Sequence, residues 1–230
     1  MSPLDLYGAA LHGHPARLRH EDGRTLALDV PRWTADRAPG DAALLSRCGS
    51  ATLDVGCGPG RLTGALQSAG VPCTGVDVAP VAVAVARARG ADVLHASFGD
   101  PRLDGTRWST VLLADGNIGI GGDPVALLRR AARLLHDDCR VVVELDPPAT
   151  ATRPVRVRLE AGRASSTWFR WAHVGADDAD AVALPAGLGV AERWASAGRY
   201  FVALARPSPA ASPARAAVPS DVTYREDQVA

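Results

Sequence analysis

Three glycines alternate with other residues between a short apolar run and a run that can form a helix. They lie in residues 53–62, which read LDVGCGPGRL. Because glycine has no Cβ, its backbone turns sharply, and a ligand can approach main-chain atoms that a side chain would cover. An ordinary turn from strand to helix needs one glycine rather than three. The stretch is therefore predicted to be a ligand-binding loop.

The spacing of the glycines separates two classes of nucleotide-like ligand. A dinucleotide-binding loop follows the pattern G-x-G-x-x-G, whose third glycine lets the helix pack close to the strand. The third position is Arg61 when counting starts at Gly56, and Thr63 when it starts at Gly58. The dinucleotide pattern therefore fails in both registers, which argues against a nicotinamide-dependent oxidoreductase.

The tighter G-x-G-x-G form, with an acidic residue at the end of the preceding strand, resembles the first motif of class I S-adenosylmethionine-dependent methyltransferases. The resemblance implies S-adenosyl-L-methionine as the cofactor. It places the loop residues Gly56, Cys57, Gly58 and Gly60 against that cofactor. Asp54 either caps the loop by accepting backbone N–H bonds or lies near the methionine ammonium of the cofactor, and the two roles are compatible.

An acidic residue also ends the predicted second strand. In the family this residue binds both ribose hydroxyls, and residues 73–77, CTGVD, have the same form. The resemblance therefore implies that Asp77, with Val78 beside it, holds the ribose, since a carboxylate offers two acceptor oxygens to a vicinal diol. The alternative is that Asp77 is the N-cap of the helix predicted over residues 79–89.

The segment after the predicted third strand, residues 91–95, is where the family presents a residue to the adenine amino group. Ser97 and Phe98 match that site by position, and Asp100 matches it by chemistry because its carboxylate can accept the N–H bond. The sequence departs from the family here, since the usual acidic residue comes sooner after the strand. The alternative for Asp100 is a solvated turn residue before Pro101.

A second glycine-rich segment, residues 115–122, follows the predicted fourth strand. In open α/β sheets, ligands bind at the carboxyl ends of the strands, near the point where the strand order reverses. The resemblance implies that Asp115 and Asn117 lie close to the cofactor and the acceptor, so both are candidate catalytic residues. The alternative is a flexible loop into a helix capped by Asp123, with Pro124 in its first turn.

An aromatic run, residues 168–171, comes shortly before His173. Histidine ordinarily titrates near neutral pH, so His173 is the best candidate for a base if the reaction needs one. The alternative is a structural histidine within a strand. Trp168, Phe169 and Trp171 either line an apolar acceptor pocket or fill the core.

Short apolar strands alternate with helices between residues 50 and 150, which indicates βαβ units and a parallel sheet covered on both faces. The resemblance implies the class I methyltransferase fold. This is a Rossmann-like α/β fold with seven mostly parallel strands in the order 3-2-1-4-5-7-6 and helices on both faces. Residues 189–194 and 199–205 are predicted to form its antiparallel closing hairpin.

Three regions are predicted along the chain. Residues 1–49 form an N-terminal cap with helices and a hairpin, whose strands are residues 16–20 and 24–30. Residues 50–206 form the methyltransferase domain, with a small β insertion at about 153–174. Residues 207–230 are rich in proline, alanine and serine and are predicted to be disordered.

Composition excludes several classes of function. The chain has 230 residues, and its 25 Lys+Arg balance its 25 Asp+Glu, so no bulk charge attracts nucleic acid. The four cysteines show no C-x-x-C spacing, which predicts reduced thiols, no metal site and a cytoplasmic location. The sequence contains no run of about 18 apolar residues, so no membrane span is predicted. The abundance of Arg, Ala and Gly is typical of a GC-rich bacterial genome. The oligomeric state stays open, a homodimer included.

These patterns together predict transfer of a methyl group to an O, N or C atom of a small-molecule acceptor by in-line displacement. Well-oriented geometry can lower the barrier by about 7–11 kcal/mol, so no catalytic triad is expected. Two alternatives stay open. One is a catalytically silent, methyltransferase-like binding or scaffold subunit, and the other is a nicotinamide-dependent oxidoreductase.

Overall fold

Two β-sheets and seven α-helices make up residues 1–207 and 225–226, the part of the chain that the computed structural model describes. The strands are β1 (Arg17–His20), β2 (Thr25–Ala27), β3 (Thr52–Val55), β4 (Cys73–Asp77), β5 (Val93–His95), β6 (Trp108–Leu113), β7 (Leu135–Leu145), β8 (Arg153–Ala161), β9 (Ala164–Ser165), β10 (Phe169–His173), β11 (Gly189–Ser196), β12 (Arg199–Ala205) and β13 (Arg225–Glu226). The α-helices are α1 (Pro3–Leu11), α2 (Val30–Thr34), α3 (Asp41–Leu45), α4 (Arg61–Ser68), α5 (Pro80–Ala88), α6 (Pro124–Leu134) and α7 (Ala179–Ala183). Short 3₁₀ helices occupy Pro101–Leu103, Asn117–Gly122, Ala176–Asp178 and Leu184–Ala186.

The main sheet has the strand order β13-β11-β12-β7-β6-β3-β4-β5. Strands β3 to β7 pair in parallel, and β12 runs antiparallel to both of its neighbours. Read from β5, the first seven strands have the predicted order 3-2-1-4-5-7-6, which confirms the predicted fold class. The described sheet has eight strands rather than seven, because β13 adds in parallel to β11. The carboxyl ends of β3, β4, β6 and β7 therefore share one edge, called the carboxyl edge below.

Two apolar layers cover the faces of this sheet. Val111 and Leu113 of β6 belong to the larger layer, whereas Leu112 between them packs on the opposite face with Trp194 and Phe201. Successive side chains of a strand point to opposite faces, so a continuous apolar run fits a strand that is buried on both sides. The apolar runs in β6 and β7 thus explain why these strands lie at the centre of the sheet.

A second sheet has the order β2-β1-β8-β10, with β9 paired to β8, and all its pairings are antiparallel. We call these five strands the cover sheet. It combines the hairpin predicted in the N-terminal cap with the predicted insertion, because β1 pairs with β8. The sequence analysis predicted both hairpins but not their pairing.

Other predicted boundaries differ in detail. The strand predicted over residues 24–30 ends at Ala27, and helix α2 begins at Val30, where the Asp29 side chain accepts the Arg32 N–H and proline occupies the first turn. The tail predicted to be disordered, residues 207–230, lies outside the described residues except for 207 and 225–226. The disorder of the tail therefore stays a prediction.

Gly119 joins the two sheets. It lies in the 3₁₀ helix after β6, and a Cβ at this position would lie 2.3 Å from the Ala172 carbonyl oxygen and 2.5 Å from Trp171 Nε1, both in β10. Real side chains do not approach so closely, so only glycine lets β10 pack against this loop. The cover sheet is thereby held against the carboxyl edge.

We expect Gly119→Ala to lower the free energy of unfolding by about 1–3 kcal/mol, because the added methyl group forces β10 and the loop apart. The matched control is Gly64→Ala in α4, where a Cβ meets nothing within 4 Å. That change should raise stability by up to about 1 kcal/mol through helix propensity. Urea denaturation measures both, and equal effects of the two substitutions would contradict the packing argument.

Candidate active site

A cavity of about 830 Å³ lies between the carboxyl edge and the cover sheet. Cavities of this size accept small molecules and cofactors. The main sheet and its loops contribute one wall, and the inward-facing side chains of the cover sheet contribute the other. Wall residues from the main sheet include Asp54, Gly56, Cys57, Gly58, Asp77, Val78, Phe98, Asp115 and Asn117, and those from the cover sheet include Leu18, Leu26, Leu159, Phe169, Trp171 and His173.

The glycine loop lies on the cavity wall. Gly56, Gly58 and Gly60 all have positive φ, at 69°, 55° and 84°, a backbone conformation that favours glycine. A Cβ on Gly58 would lie 2.9 Å from Tyr7 Oη of helix α1, and a Cβ on Gly60 would lie 2.8 Å from Ala86 Cβ of helix α5. Gly60 therefore permits helix packing, whereas Gly56 and Gly58 line the cavity with the Asn117 amide and the Tyr7 hydroxyl packed against them.

Tyr7 was not singled out in the sequence, yet its phenol lies beside the loop and lines the cavity. Burial and then the charge of Asp77 raise the pKa of Tyr7 far above its ordinary value. Its hydroxyl therefore stays protonated and can act as a hydrogen-bond donor.

Asp77 supports the loop from the neighbouring strand. Its Oδ2 accepts the Gly58 N–H at 2.9 Å, and its Oδ1 accepts the Ala79 N–H at 2.7 Å at the start of helix α5. Burial raises the pKa of Asp77 above its ordinary value, although these two N–H bonds oppose the rise. The capping alternative is thus realised, and each oxygen keeps a second lone pair for a ligand in the cavity.

Asp54 is buried below the loop with only 2% of its surface exposed. Its Oδ2 accepts a hydrogen bond from the Thr63 hydroxyl at 2.7 Å, so its partner is a side chain of helix α4 rather than a loop N–H. Burial raises the pKa of Asp54 to about 6. A cation bound beside it in the cavity would favour the ionised carboxylate.

Asn117 connects the loop after β6 to the glycine loop. Its Nδ2 donates to the carbonyl oxygens of Val55 at 2.8 Å and Gly56 at 3.0 Å. These two bonds fix the direction of the main chain where it enters the glycine loop. The structure therefore places Asn117 at the cavity wall with its amide nitrogen already engaged.

Asp115 belongs to a group of three arginines and three carboxylates, which we call the buried ionic cluster. Asp115 accepts one hydrogen bond from Arg32 and one from Arg61, both at 2.6 Å, and its N–H donates to Glu144 Oε2 at 2.7 Å. Arg199 pairs with Glu144 through two hydrogen bonds. The full cluster is Arg32, Asp41, Arg61, Asp115, Glu144 and Arg199.

The charges of this cluster cancel, which allows it to be buried. The side chains of Arg61 and Asp41 are 2% and 3% exposed, and each bonds to the other and to a further member. Burial opposes ionisation of Glu144, but the hydrogen bonds and charge of Arg199 hold the pKa of that carboxyl below its ordinary value. Burial raises the pKa of Asp115 above its ordinary value although Arg61 opposes the rise, and both of its oxygens already accept hydrogen bonds from arginines.

The adenine candidates separate into two groups. Phe98 lines the cavity, but neither Ser97 nor Asp100 does. Asp100 instead accepts hydrogen bonds from the Arg102 N–H at 2.9 Å and from its guanidinium, and these bonds lower the pKa of Asp100 to about 2. The turn-residue alternative is therefore the arrangement that the structure shows for Asp100, and Ser97 is exposed to solvent.

His173 lines the opposite wall and interacts with two residues that the sequence analysis missed. Its Nδ1 lies 3.1 Å from Asp146 Oδ2, directly after β7. The His20 ring stacks on the His173 ring, with centroids 5.2 Å apart and planes at 19°. Phe169 and Trp171 also line the cavity, whereas Trp168 packs under Arg158. Two of the three aromatic side chains thus contribute to the pocket.

Two negative findings apply to the described residues. No group of three or more His, Cys, Asp or Glu side chains among them is placed to hold a metal ion. None of the helices in residues 1–207 has the length and apolar character needed to cross a membrane.

We expect Arg61→Met to lower the free energy of unfolding by about 3–5 kcal/mol, because Asp41 and Asp115 each lose a buried partner. Urea denaturation measures the loss. Arg37→Met, at an exposed position, is the matched control and should change stability by less than about 0.5 kcal/mol. A loss below about 1 kcal/mol for Arg61→Met would contradict the expected contribution of the buried ionic cluster to stability.

Asp54 should make stability depend on pH. Its pKa rises from 3.8 to about 6 on folding, so the folded chain binds the proton more tightly than the unfolded chain does. Its contribution to stability is therefore fully present below about pH 4 and is lost as pH rises through 6, a change of about 3 kcal/mol.

Asp54→Asn removes this titration and keeps an acceptor for Thr63. The stability of the variant relative to the parent chain should therefore rise by about 3 kcal/mol between pH 4 and pH 7.5. Urea denaturation at both pH values measures the difference. A relative stability that does not change with pH would show that Asp54 titrates normally.

Comparison with known proteins agrees with this architecture. Residues 52–138 match the family model described as a methyltransferase domain. No curated protein sequence matches the chain significantly.

Similar solved structures include a S-adenosylmethionine-dependent methyltransferase from Bacteroides fragilis in complex with S-adenosyl-L-homocysteine. It is 20% identical, with a TM-score of 0.76 over 90% of this chain and 96% of that one. The CcbJ methyltransferase from Streptomyces caelestis is 18% identical, with a TM-score of 0.59 over 77% of this chain and 94% of that one. The glycopeptide N-methyltransferase MtfA, complexed with S-adenosyl-L-methionine, is 16% identical, with a TM-score of 0.56 over 74% of this chain and 95% of that one.

At these identities the likeness to solved structures establishes the fold, and the family model adds the domain. Together they confirm the resemblance that the glycine loop predicted. Residues 52–138 therefore match a methyltransferase domain model, and the chain has the class I methyltransferase fold.

Proposed function

We propose that the chain is a S-adenosylmethionine-dependent methyltransferase that acts on a small-molecule acceptor. The observation that carries the proposal is the position of Gly56 and Gly58 on the cavity wall, between the carboxylates of Asp54 and Asp77. A Cβ at Gly56 would meet the Asn117 amide and a Cβ at Gly58 would meet the Tyr7 hydroxyl, so both positions require glycine.

The residues around these two glycines fit the chemical groups of the cofactor. The buried carboxylate of Asp54 suits the methionine ammonium, and the free lone pairs of Asp77 suit the ribose diol. The Phe98 ring offers an apolar surface to the adenine. When bound, S-adenosylmethionine supplies an electrophilic methyl group on a sulfonium. This assignment uses neither Ser97 nor Asp100, which lie away from the cavity.

The contribution of the protein is mainly orientation and exclusion of water. Holding two reactants in line can lower the barrier by about 7–11 kcal/mol. We assign Asn117 and Asp115 to positioning, because Asn117 holds the glycine loop and Asp115 is held by Arg32 and Arg61. In this assignment neither residue is the base that removes the proton from the substrate.

The shape of the cavity supports a small acceptor. The cover sheet closes the space opposite the glycine loop, and the total volume of about 830 Å³ must hold both cofactor and acceptor. A protein or nucleic acid acceptor would need an open approach to the methyl group. The neutral net charge likewise gives no general attraction for nucleic acid.

The cysteines support a reducing, cytoplasmic location. Cys48, Cys57, Cys73 and Cys139 are all free thiols. Secreted domains commonly pair their cysteines, whereas cytoplasmic proteins keep them reduced. We therefore keep the cytoplasm as the proposed location.

Calorimetric titration with S-adenosyl-L-homocysteine tests the cofactor site. Asp77→Asn should weaken binding about 10- to 100-fold, because it removes the charge from the hydrogen bonds to the ribose. The matched control is Asp92→Asn, an exposed aspartate before β5, which should change affinity less than about 2-fold.

Gly58→Ala should abolish binding, since its methyl group would meet the Tyr7 hydroxyl on the cavity wall. Gly90→Ala provides the backbone control, because Gly90 also has positive φ but a Cβ there meets nothing within 4 Å. If the parent chain released no heat with S-adenosyl-L-homocysteine, or bound NADH instead, the proposed function would be wrong.

A further inference from the structure

Asp146 determines which ring nitrogen of His173 keeps an unprotonated lone pair. Its Oδ2 accepts the Val174 N–H at 3.0 Å and lies 3.1 Å from His173 Nδ1. An ionised carboxylate only accepts hydrogen bonds, so Nδ1 carries the proton and Nε2 keeps its lone pair. Because His173 lines the cavity and its Nδ1 is engaged, Nε2 is the ring nitrogen that remains for a ligand.

His20 packs against the other side of this imidazole. It is 3% exposed, and its Nδ1 is buried without a hydrogen-bond partner among the described residues. Burial and then the neighbouring His173 lower the pKa of His20; Arg24 and Arg153 lower it further, and Asp22 opposes them. His20 is therefore neutral near pH 7 and places no charge against the His173 ring.

The cover-sheet surface beside His173 is largely apolar. In the cover sheet, Val157 and Leu159 face inward and alternate with outward-facing Arg156 and Arg158 along β8. The Phe169 and Trp171 rings meet edge to face at 6.4 Å on the same inner side. Such a wall buries an aromatic ring well, and the nearest carboxylate, Asp146, is already engaged by the Val174 N–H and by His173.

We propose that His173 is the catalytic base, that Asp146 and His20 are its positioning residues, and that the acceptor is a small phenol. The proposal rests on the methyltransferase function proposed above. The phenol oxygen forms a bond to the methyl carbon, and the breaking C–S bond leaves its electron pair on sulfur. The products are a methyl ether and S-adenosylhomocysteine, and the phenolic proton passes to His173 Nε2.

A phenol fits this site better than an amine does. A phenol ordinarily has a pKa near 10, within reach of an imidazole base during the transfer, and its neutral form suits the apolar wall. An alkyl amine is a cation near neutral pH and would have to lose both its charge and its hydration to enter. An aliphatic hydroxyl is too weak an acid for imidazole to assist to the same extent.

Labelled methyl transfer with the full-length protein tests the proposal. The probes are 2-naphthol and 4-nitrophenol, each paired with an alkyl amine on the same ring, 2-naphthylmethylamine or 4-nitrobenzylamine. We expect label on the phenol oxygen. His173→Gln and Asp146→Asn should each slow transfer about 10²- to 10⁴-fold, the usual contribution of a general base. Both should bind S-adenosyl-L-homocysteine as the parent chain does, and Asp146→Glu should recover part of the rate.

His136→Gln, at an exposed position in β7, is the matched control and should leave the rate unchanged. ¹⁵N NMR of the imidazoles gives a readout that needs no acceptor. In the parent chain His173 should carry its proton on Nδ1, and in Asp146→Asn the proton should move to Nε2, because the amide can donate to Nδ1.

Each contrary result is decisive. Full transfer in His173→Gln, or a parent chain protonated on Nε2, would overturn the assignment of the base. Transfer to the alkyl amines alone would overturn the acceptor class. Binding of S-adenosyl-L-homocysteine without methylation of either phenol would overturn the acceptor class and leave the cofactor site standing. Absence of that binding would overturn the proposed function itself. If the variants fail to fold, the tautomer of the parent chain decides the assignment.

Discussion

The buried ionic cluster is the constraint on which the carboxyl edge depends. Arg61 of α4, Glu144 of β7 and Arg199 of β12 are all at least nine-tenths buried, and Asp41 of α3 joins them. Charges removed from water persist only where each finds partners in good geometry, so these elements fix one another's positions. Asp115 is held there with a φ of 52°, a strained conformation for a residue other than glycine. The loop that carries Asn117 to the glycine loop starts from this point.

The same cluster connects the main sheet to the N-terminal segment. Arg32 of α2 reaches Asp115 and Glu144 at 2.6 and 3.1 Å. Helix α1 adds Tyr7, which lies beside Gly58 and meets Trp33 edge to face. The wall of the cavity is therefore built by two kinds of interaction, ion pairs at the carboxyl edge and apolar packing in the cover sheet.

Local patterns in the sequence predicted the parts of the site that local chemistry determines. The parallel sheet follows from βαβ units whose partners are near in sequence, whereas the strand order was implied by the family resemblance of the glycine loop. Local patterns could not predict which side chains form ion pairs with the site residues, because those side chains are distant in sequence. Arg199 and Asp41 are 158 residues apart, and the signal for each was one charged residue near an element boundary. Asp100 resembled an adenine ligand by residue type, but Arg102, two positions away, binds its carboxylate.

The pairing of β1 with β8 has a consequence for the order of folding. Arg17 and Glu160, which bond across these strands, are 143 residues apart, so β1 has no partner on that side until most of the chain has been synthesised. Long-range pairings form slowly because the intervening chain must first be ordered. The nascent protein should therefore expose the unpaired edge of β1 to chaperones until β8 has been synthesised.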